Sequence, residues 1–272
     1  MMQGKSVILT GAAGGIGRAI AQKFAAEGCR LTLVDMEEAA LHSLAEVLKA
    51  HPGADVLVLS GDLAAPAFLQ QVAHEAVARW GRIDVLVNNA AWRRLGSLRQ
   101  ISLDDWQRTI DVCLTAPAFL GRAVAEVMER TGTGGVIVNV SSMMSERPAG
   151  NSPPYIAAKA GLEGLTREMA VTYGRSRIRA VCVRPGYIDT GLSHDYETDT
   201  TARGLTDRLG GYLTDATPLS GPGQPEEVAE AICWLASPAA AFISGTCLTI
   251  DGGFTHNLNS YPLKHQQFPD EY

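Results

Sequence analysis

The stretch TGAAGGIG, Thr10 to Gly17, decides how the rest of the chain is read. It follows a short β-branched run, SVILT (6–10), and opens a segment with apolar residues three and four apart (15–28). Glycines also serve ordinary tight turns, so the weight lies in their position between a strand and a helix. There a backbone without Cβ atoms can approach a bulky anion and present helix N-terminal N–H groups to it. A pyrophosphate is the anion such a turn suits, and a dinucleotide the ligand.

Six further runs repeat the strand pattern: RLTLVD (30–35), DVLVLS (55–60), IDVLVN (83–88), GVIVNVS (135–141), IRAVCVRP (178–185) and TCLTI (246–250). Spacers at 37–50, 66–80, 102–130, 153–174 and 225–236 are long enough for crossover helices. The alternation predicts an α/β chain: a Rossmann-type, doubly wound, seven-stranded parallel sheet with helices on both faces. Near-continuous apolar strands fit burial on both sides. We expect one domain over 1–253 and a C-terminal extension over 254–272. Two regions show neither pattern, 187–224 and the polar tail after Gly253, and loops of that length are often functional.

The 272 residues are 46% hydrophobic and 19% charged, enough apolar material for a large core. A formal charge of −6 argues against nucleic acid as a partner. Five scattered cysteines without C-x-x-C spacing suit a reducing cytoplasm, and six histidines without paired spacing predict no metal. No run approaches the ~18 apolar residues of a membrane helix, so a soluble protein without a membrane partner is expected.

Asp35 closes the second strand eighteen residues beyond Gly17. A carboxylate there can accept from both ribose hydroxyls and would repel a 2′-phosphate, which points to NAD as cofactor; an ordinary helix-capping Asp is the alternative. The residues that follow, Met36, Glu37 and Glu38, offer no cation.

YIAAK (155–159) sets Tyr155 and Lys159 one turn apart on one helix face. A phenol is a poor base at neutral pH unless nearby positive charge favours phenolate, and lysine supplies that charge. Ser142, just past the fifth strand, stands where open α/β sheets bind ligands and could orient a carbonyl or alcohol oxygen.

Taken together, Thr10, Gly11, Gly15 and Gly17 in TGxxxGxG, Asp62-Leu63, NNA at 88–90, Ser142, YxxxK and PGYIDT (185–190) resemble the short-chain dehydrogenase/reductase family. The likeness runs from about Lys5 to Gly253. It implies hydride transfer between a nicotinamide and a substrate carbon, with Tyr155 moving the proton and Ser142 holding the reacting oxygen. It also implies cofactor contacts at Gly11, Gly14, Gly15, Ile16, Gly17, Asp35, Asp62, Leu63, Asn89, Tyr155, Lys159, Gly186, Ile188 and Thr190. A homo-oligomer, dimer or tetramer, is implied too.

Two departures stand out: Ala91 where NNAG is usual, and Cys113, seven residues after Trp106, where the family usually carries a catalytic asparagine. In the family, that asparagine's carbonyl holds a water beside the lysine, and its side chain helps fix a helix distortion. A thiol cannot replace an amide's strong donor and acceptor, but every residue keeps a carbonyl. Activity is therefore expected to survive.

For substrate binding the sequence offers Trp92, Arg93, Arg94, Ser142, Met143, Met144, Ser145, Glu146, Arg147, Tyr187, His194 and Tyr196, a mixture suited to a sugar, polyol or hydroxy acid. A reductase of 3-oxoacyl thioesters or other apolar ketones, and a non-catalytic NAD-sensing protein, are the rival readings. In the extension, Phe254, Tyr261, Pro262, Leu263, Phe268 and Tyr272 suggest docking against a neighbouring subunit, against the simpler expectation of a frayed tail.

Overall fold

A computed structural model describes residues 2–191 and 204–271. Seven strands form one sheet in the order β3-β2-β1-β4-β5-β6-β7, with every pairing parallel. They are β1 (Ser6–Thr10), β2 (Arg30–Asp35), β3 (Asp55–Ser60), β4 (Val85–Asn88), β5 (Gly135–Val140), β6 (Ile178–Pro185) and β7 (Cys247–Ile250). The helices are α1 (Gly15–Ala26), α2 (Glu38–Leu48), α3 (Pro66–Trp80), α4 (Leu103–Ile110), α5 (Ala116–Thr131), α6 (Pro153–Tyr173), α7 (Leu205–Ala216), α8 (Pro225–Ala236) and α9 (Tyr261–Gln267).

Side chains alternate across a strand, so each strand feeds two cores. Val7 and Leu9 join Val85, Val87, Val136 and Val138 on one face, beneath Ile20 and Phe24 of α1, Leu41 and Leu44 of α2, and Val228 and Ile232 of α8. Ile8, Leu86 and Ile137 face the other way, against Leu69 and Val72 of α3, Leu120 and Val124 of α5, and Met169 of α6. Each such side chain, fully buried, contributes about 1.5–3 kcal/mol. This double burial is why the strands read as continuous apolar runs.

The order reverses at β1, whose neighbours β2 and β4 continue in opposite directions. The loops leaving β1 and β4 part there and open a crevice at the strands' C-terminal ends.

Two expectations change. The region 187–224 is not loop throughout, because α7 occupies Leu205–Ala216. Leu205, Leu209, Leu213 and Ala216 recur three and four apart, but the Gly210-Gly211 pair and the interspersed Thr and Asp obscure that pattern. The tail also carries structure: Phe254 is buried against Leu213 and Ala216, and α9 follows. Of the residues named for docking, Tyr261, Leu263 and Phe268 are exposed, and Tyr272 lies outside the described residues.

The spacer 102–130, expected to be helical, holds two helices with a distortion between them. Between α4 and α5 runs a π-helical turn, Asp111–Thr115, in which Ala116 N–H reaches back five residues to the Asp111 carbonyl. Pro117 supplies a reason: lacking an N–H, it gives no donor to the Cys113 carbonyl four residues earlier, and its ring crowds that carbonyl.

At the far end of the sheet, buried Asp84 collects the Ser6 N–H (3.0 Å), the Lys5 ammonium (3.0 Å) and the Arg82 guanidinium, tying the start of β1 to the entry of β4. Burial alone would raise its pKa, but bonds from Arg82, Ser6 and Lys5 outweigh it and hold the carboxyl below its ordinary value. A depressed folded pKa contributes stability above the unfolded value of ~3.9 that is lost as pH falls through the folded one. Asp84→Asn should therefore lower stability by about 2–3 kcal/mol at pH 7 and show a shallower loss of urea midpoint than wild type between about pH 5 and pH 3.

Candidate active site

The crevice is a cavity of about 710 Å³ lined by the ends of β1, β2, β4, β5 and β6 and by the start of α6. That volume suits a dinucleotide-sized ligand.

Its floor begins at the glycine turn. Gly11 has φ +66°, and a Cβ on Gly17 would lie 1.9 Å from the Gly11 carbonyl oxygen, so the first turn of α1 can pass under β1 only if residue 17 has no side chain. Asn89 secures the turn by donating its amide to the Thr10 and Gly11 carbonyls (3.1 and 3.0 Å). The Thr10 hydroxyl in return accepts the Asn89 and Ala90 N–H groups, both at 3.1 Å. Among the described residues no side chain caps α1, and no acid stands in its first turn. Its leading N–H groups therefore suit an anion such as a pyrophosphate.

Along the wall, Asp35 accepts from Ala13 N–H (3.0 Å) and Met36 N–H (2.7 Å), which fixes its carboxylate at the cavity edge with lone pairs still available. Asp62 accepts from Ala64 N–H (2.9 Å) and pairs with Arg108 at 2.5 Å. Burial raises the Asp62 pKa less than these partners lower it. Arg108 lines the same wall, 3.4 Å from the Met36 sulfur. It is the cation that reading forward from Asp35 missed, because it arrives from α4, with its charge already matched by Asp62.

Deeper in, Ser142, Tyr155 and Lys159 share the cavity. The Ser142 hydroxyl oxygen accepts Met144 N–H at 3.2 Å, leaving its proton for another acceptor. Tyr155 and Lys159 lie 6% and 1% exposed, on one face of α6 as their spacing requires. The ammonium sits 5.5 Å from the phenol ring centroid and donates to the Val140 carbonyl at 2.6 Å. Every residue expected to touch a cofactor lines this one cavity: Gly11, Gly14, Gly15, Ile16, Gly17, Asp35, Asp62, Leu63, Asn89, Tyr155, Lys159, Gly186, Ile188 and Thr190. The uncapped helix start, the close-packed glycines and the Asp35 carboxylate fit a nicotinamide dinucleotide.

Cys113 does not line the cavity; its neighbour Val112 does. Wholly buried, its thiol donates to the Trp92 carbonyl and accepts the Trp92 N–H, each at 3.4 Å. Both directions of bonding are present at the thiol, though sulfur makes each more weakly than an amide would.

Of the substrate candidates, Met144 and Tyr187 line the cavity beside Trp92, Arg93, Met143 and Leu213. Arg94 does not. It is exposed, and its carbonyl accepts the Ser152 hydroxyl at 3.3 Å. Glu146 pairs with Arg184 at 2.8 Å, and Arg147 donates to the Phe254 carbonyl at 2.7 Å and covers its ring at 4.6 Å. Successive residues in a loop point different ways, which a list of loop residues cannot show. His194 and Tyr196 lie outside the described residues.

Residues 11–255 match the family model described as "Enoyl-(Acyl carrier protein) reductase". The chain is 37% identical over 249 residues to a cis-4-hydroxycyclohexanecarboxylate dehydrogenase from Sinomonas cyclohexanicum, covering 91% of this chain and 95% of that one. It is 34% identical to a D-threitol dehydrogenase from Mycolicibacterium smegmatis, covering 93% and 94%. The solved 3-ketoacyl-(acyl-carrier-protein) reductase from Brucella melitensis, complexed with NADH, superposes with a TM-score of 0.83 at 26% identity, covering 94% of this chain and all of that one. The chain belongs to the short-chain dehydrogenase/reductase family. It is an oxidoreductase that uses a nicotinamide cofactor to interconvert secondary alcohols and ketones.

Asn89→Ala should free the glycine turn and weaken binding of the reduced nicotinamide cofactor at least tenfold in a fluorescence titration, because two hydrogen bonds that hold the turn are lost together.

Proposed function

We propose an NAD-dependent dehydrogenase for a polar secondary alcohol, drawn from the sugars, polyols and hydroxy acids. Among these, a hydroxy acid on a compact apolar body suits the cavity best. The observation that carries this reading is the convergence of Ser142, Tyr155 and Lys159 on one cavity with the glycine turn and Asp35. Bound there, NAD would accept or return a hydride at the nicotinamide.

The remaining chemistry belongs to the chain. Ser142 donates its proton to the reacting oxygen and holds it beside Tyr155. During alcohol oxidation the Tyr155 oxygen takes the hydroxyl proton, and during ketone reduction it returns one. Lys159, buried next to the phenol, sets a positive charge beside the proton-transfer site. Ile188 and Thr190, which follow β6, would meet the carboxamide, and Asp35 would accept from the ribose hydroxyls and repel a 2′-phosphate.

Walls of Trp92, Met143, Met144, Tyr187 and Leu213 favour an apolar body on the substrate, and Arg93 is the charged side chain among them. Those walls also sustain the second reading, a reductase of 3-oxoacyl thioesters. The intact proton-transfer set speaks against a purely NAD-sensing protein. In this reading the protein works in the cytoplasm as a homo-oligomer, a tetramer, with exposed Phe119, Val171, Trp234 and Phe242 offering apolar surface for self-association.

Turnover of NAD with hydroxycycloalkane carboxylates, polyols and sugars, measured beside NADH with 3-oxoacyl thioesters, distinguishes the readings. Activity confined to the thioesters would overturn the first. On an accepted substrate Tyr155→Phe should lower kcat by about 10²–10⁴, whereas Cys113→Asn should change it less than tenfold. Asp35→Ser should shift the NAD to NADP ratio of kcat/KM toward NADP by at least tenfold, read from initial rates with each cofactor.

A further inference from the structure

Tyr155 and Lys159 occupy positions i and i+4 on α6, and Glu163 stands at i+8 on the same face, buried to 8% exposure. Its carboxylate gathers four donors. Arg184 contributes Nε at 3.0 Å and Nη2 at 2.6 Å, a two-pronged pair in which both ions are buried. The Ser141 and Ser145 hydroxyls lie 2.8 and 2.6 Å from Oε1.

Those two serines flank the Ser142 turn. Ser145 also reaches the Ser142 carbonyl at 2.7 Å, and Ser141 reaches the Lys159 carbonyl at 3.2 Å, so each hydroxyl proton is shared between the carboxylate and the backbone. Arg184 immediately precedes Pro185 and Gly186 at the cavity wall and also bonds Thr249 at 3.1 Å and Glu146 at 2.8 Å.

The same carboxylate approaches the thiols of Cys182 and Cys247, an acid and two sulfurs within metal-binding distance. A metal there would compete with Arg184 and both serines for the carboxylate oxygens. It would also need thiolates, and Cys247 is held protonated by a hydrogen bond with the free Cys182 thiol and by burial.

We propose that Glu163, paired with Arg184, is a positioning residue. It clamps Ser141 and Ser145 and so fixes the Ser142 hydroxyl beside Tyr155. The proposal rests on the reading of Ser142 as the group that holds the reacting oxygen. Three residues on one helical stripe then have graded tasks: Tyr155 moves the proton, Lys159 sets a positive charge beside it, and Glu163 aims the serine.

Glu163→Gln tests the ion pair but strands Arg184 and risks misfolding. Ser141→Ala/Ser145→Ala, made in the full chain, leaves the pair intact. Hydrogen exchange with NADH present should accelerate at least tenfold over residues 141–147 in the serine variant and stay unchanged over 6–10. Unchanged exchange over 141–147 would overturn the proposal whether or not the protein turns over any compound.

On whichever panel member wild type accepts, the serine variant should lose ten- to a hundredfold in kcat, with KM for NAD within twofold. That loss should vanish in a Ser142→Ala background. An equal loss in both backgrounds would also overturn it, since the serines would then act independently of Ser142. A wild type inactive on every compound counts against the proposed activity alone, and the exchange result still decides the clamp.

Discussion

The mouth of the sheet depends on two stretches of backbone touching. Gly11 and Gly17 meet so closely that no side chain fits between them, and this contact lets α1 begin directly beneath the end of β1. From it follow the aim of the uncapped helix start, the position of Ala13 against Asp35, and the reach of Asn89 across from β4. A bulkier turn would lift α1 from the sheet and separate its leading N–H groups from the Asp35 carboxylate. The hydrophobic cores hold the layers together, but this contact sets the spacing of the site.

Much of this was legible in the sequence because the governing forces are local or periodic. A central strand covered on both faces must be apolar throughout, whereas the half-buried edge strands β3 and β7 were readable only from their short apolar runs. Strand-end residues such as Asp35 and Ser142, and helix neighbours such as Tyr155 and Lys159, are placed by elements whose geometry is nearly fixed. What escaped depends on distant pairing. Arg108 reaches Asp62 across 46 positions and Glu163 reaches Arg184 across 21, and neither partner advertises the other. A second step of four along α6, from Lys159 to Glu163 after the first from Tyr155 to Lys159, was the one signal present.

Loops failed differently. Arg93 and Arg94 are identical in composition and adjacent, yet one lines the cavity and the other faces solvent, because outside regular structure no period assigns a side. Helix α7 was hidden by its own glycine pair, which lowers helix propensity while tertiary packing of Leu213 and Ala216 against Phe254 restores it. Cys113 shows a third kind of limit. The substitution looked like the loss of an amide's strong donor and acceptor, and only the approach of the Trp92 backbone reveals the weak bonds that the thiol makes in both directions.

The π turn beside Cys113 carries a consequence for helix phase. A π turn accommodates one residue more than an α turn of the same rise, and each residue advances an α-helix by ~100°. The interruption at Asp111–Thr115 therefore sets the rotation of α5 against α4, so that Leu120, Val124 and Met128 meet the sheet. Removing a residue there would turn that face away from the core. This stretch is freer in the identity of its residues than in their number: cysteine can stand at 113, but the count from Trp106 to Pro117 must hold.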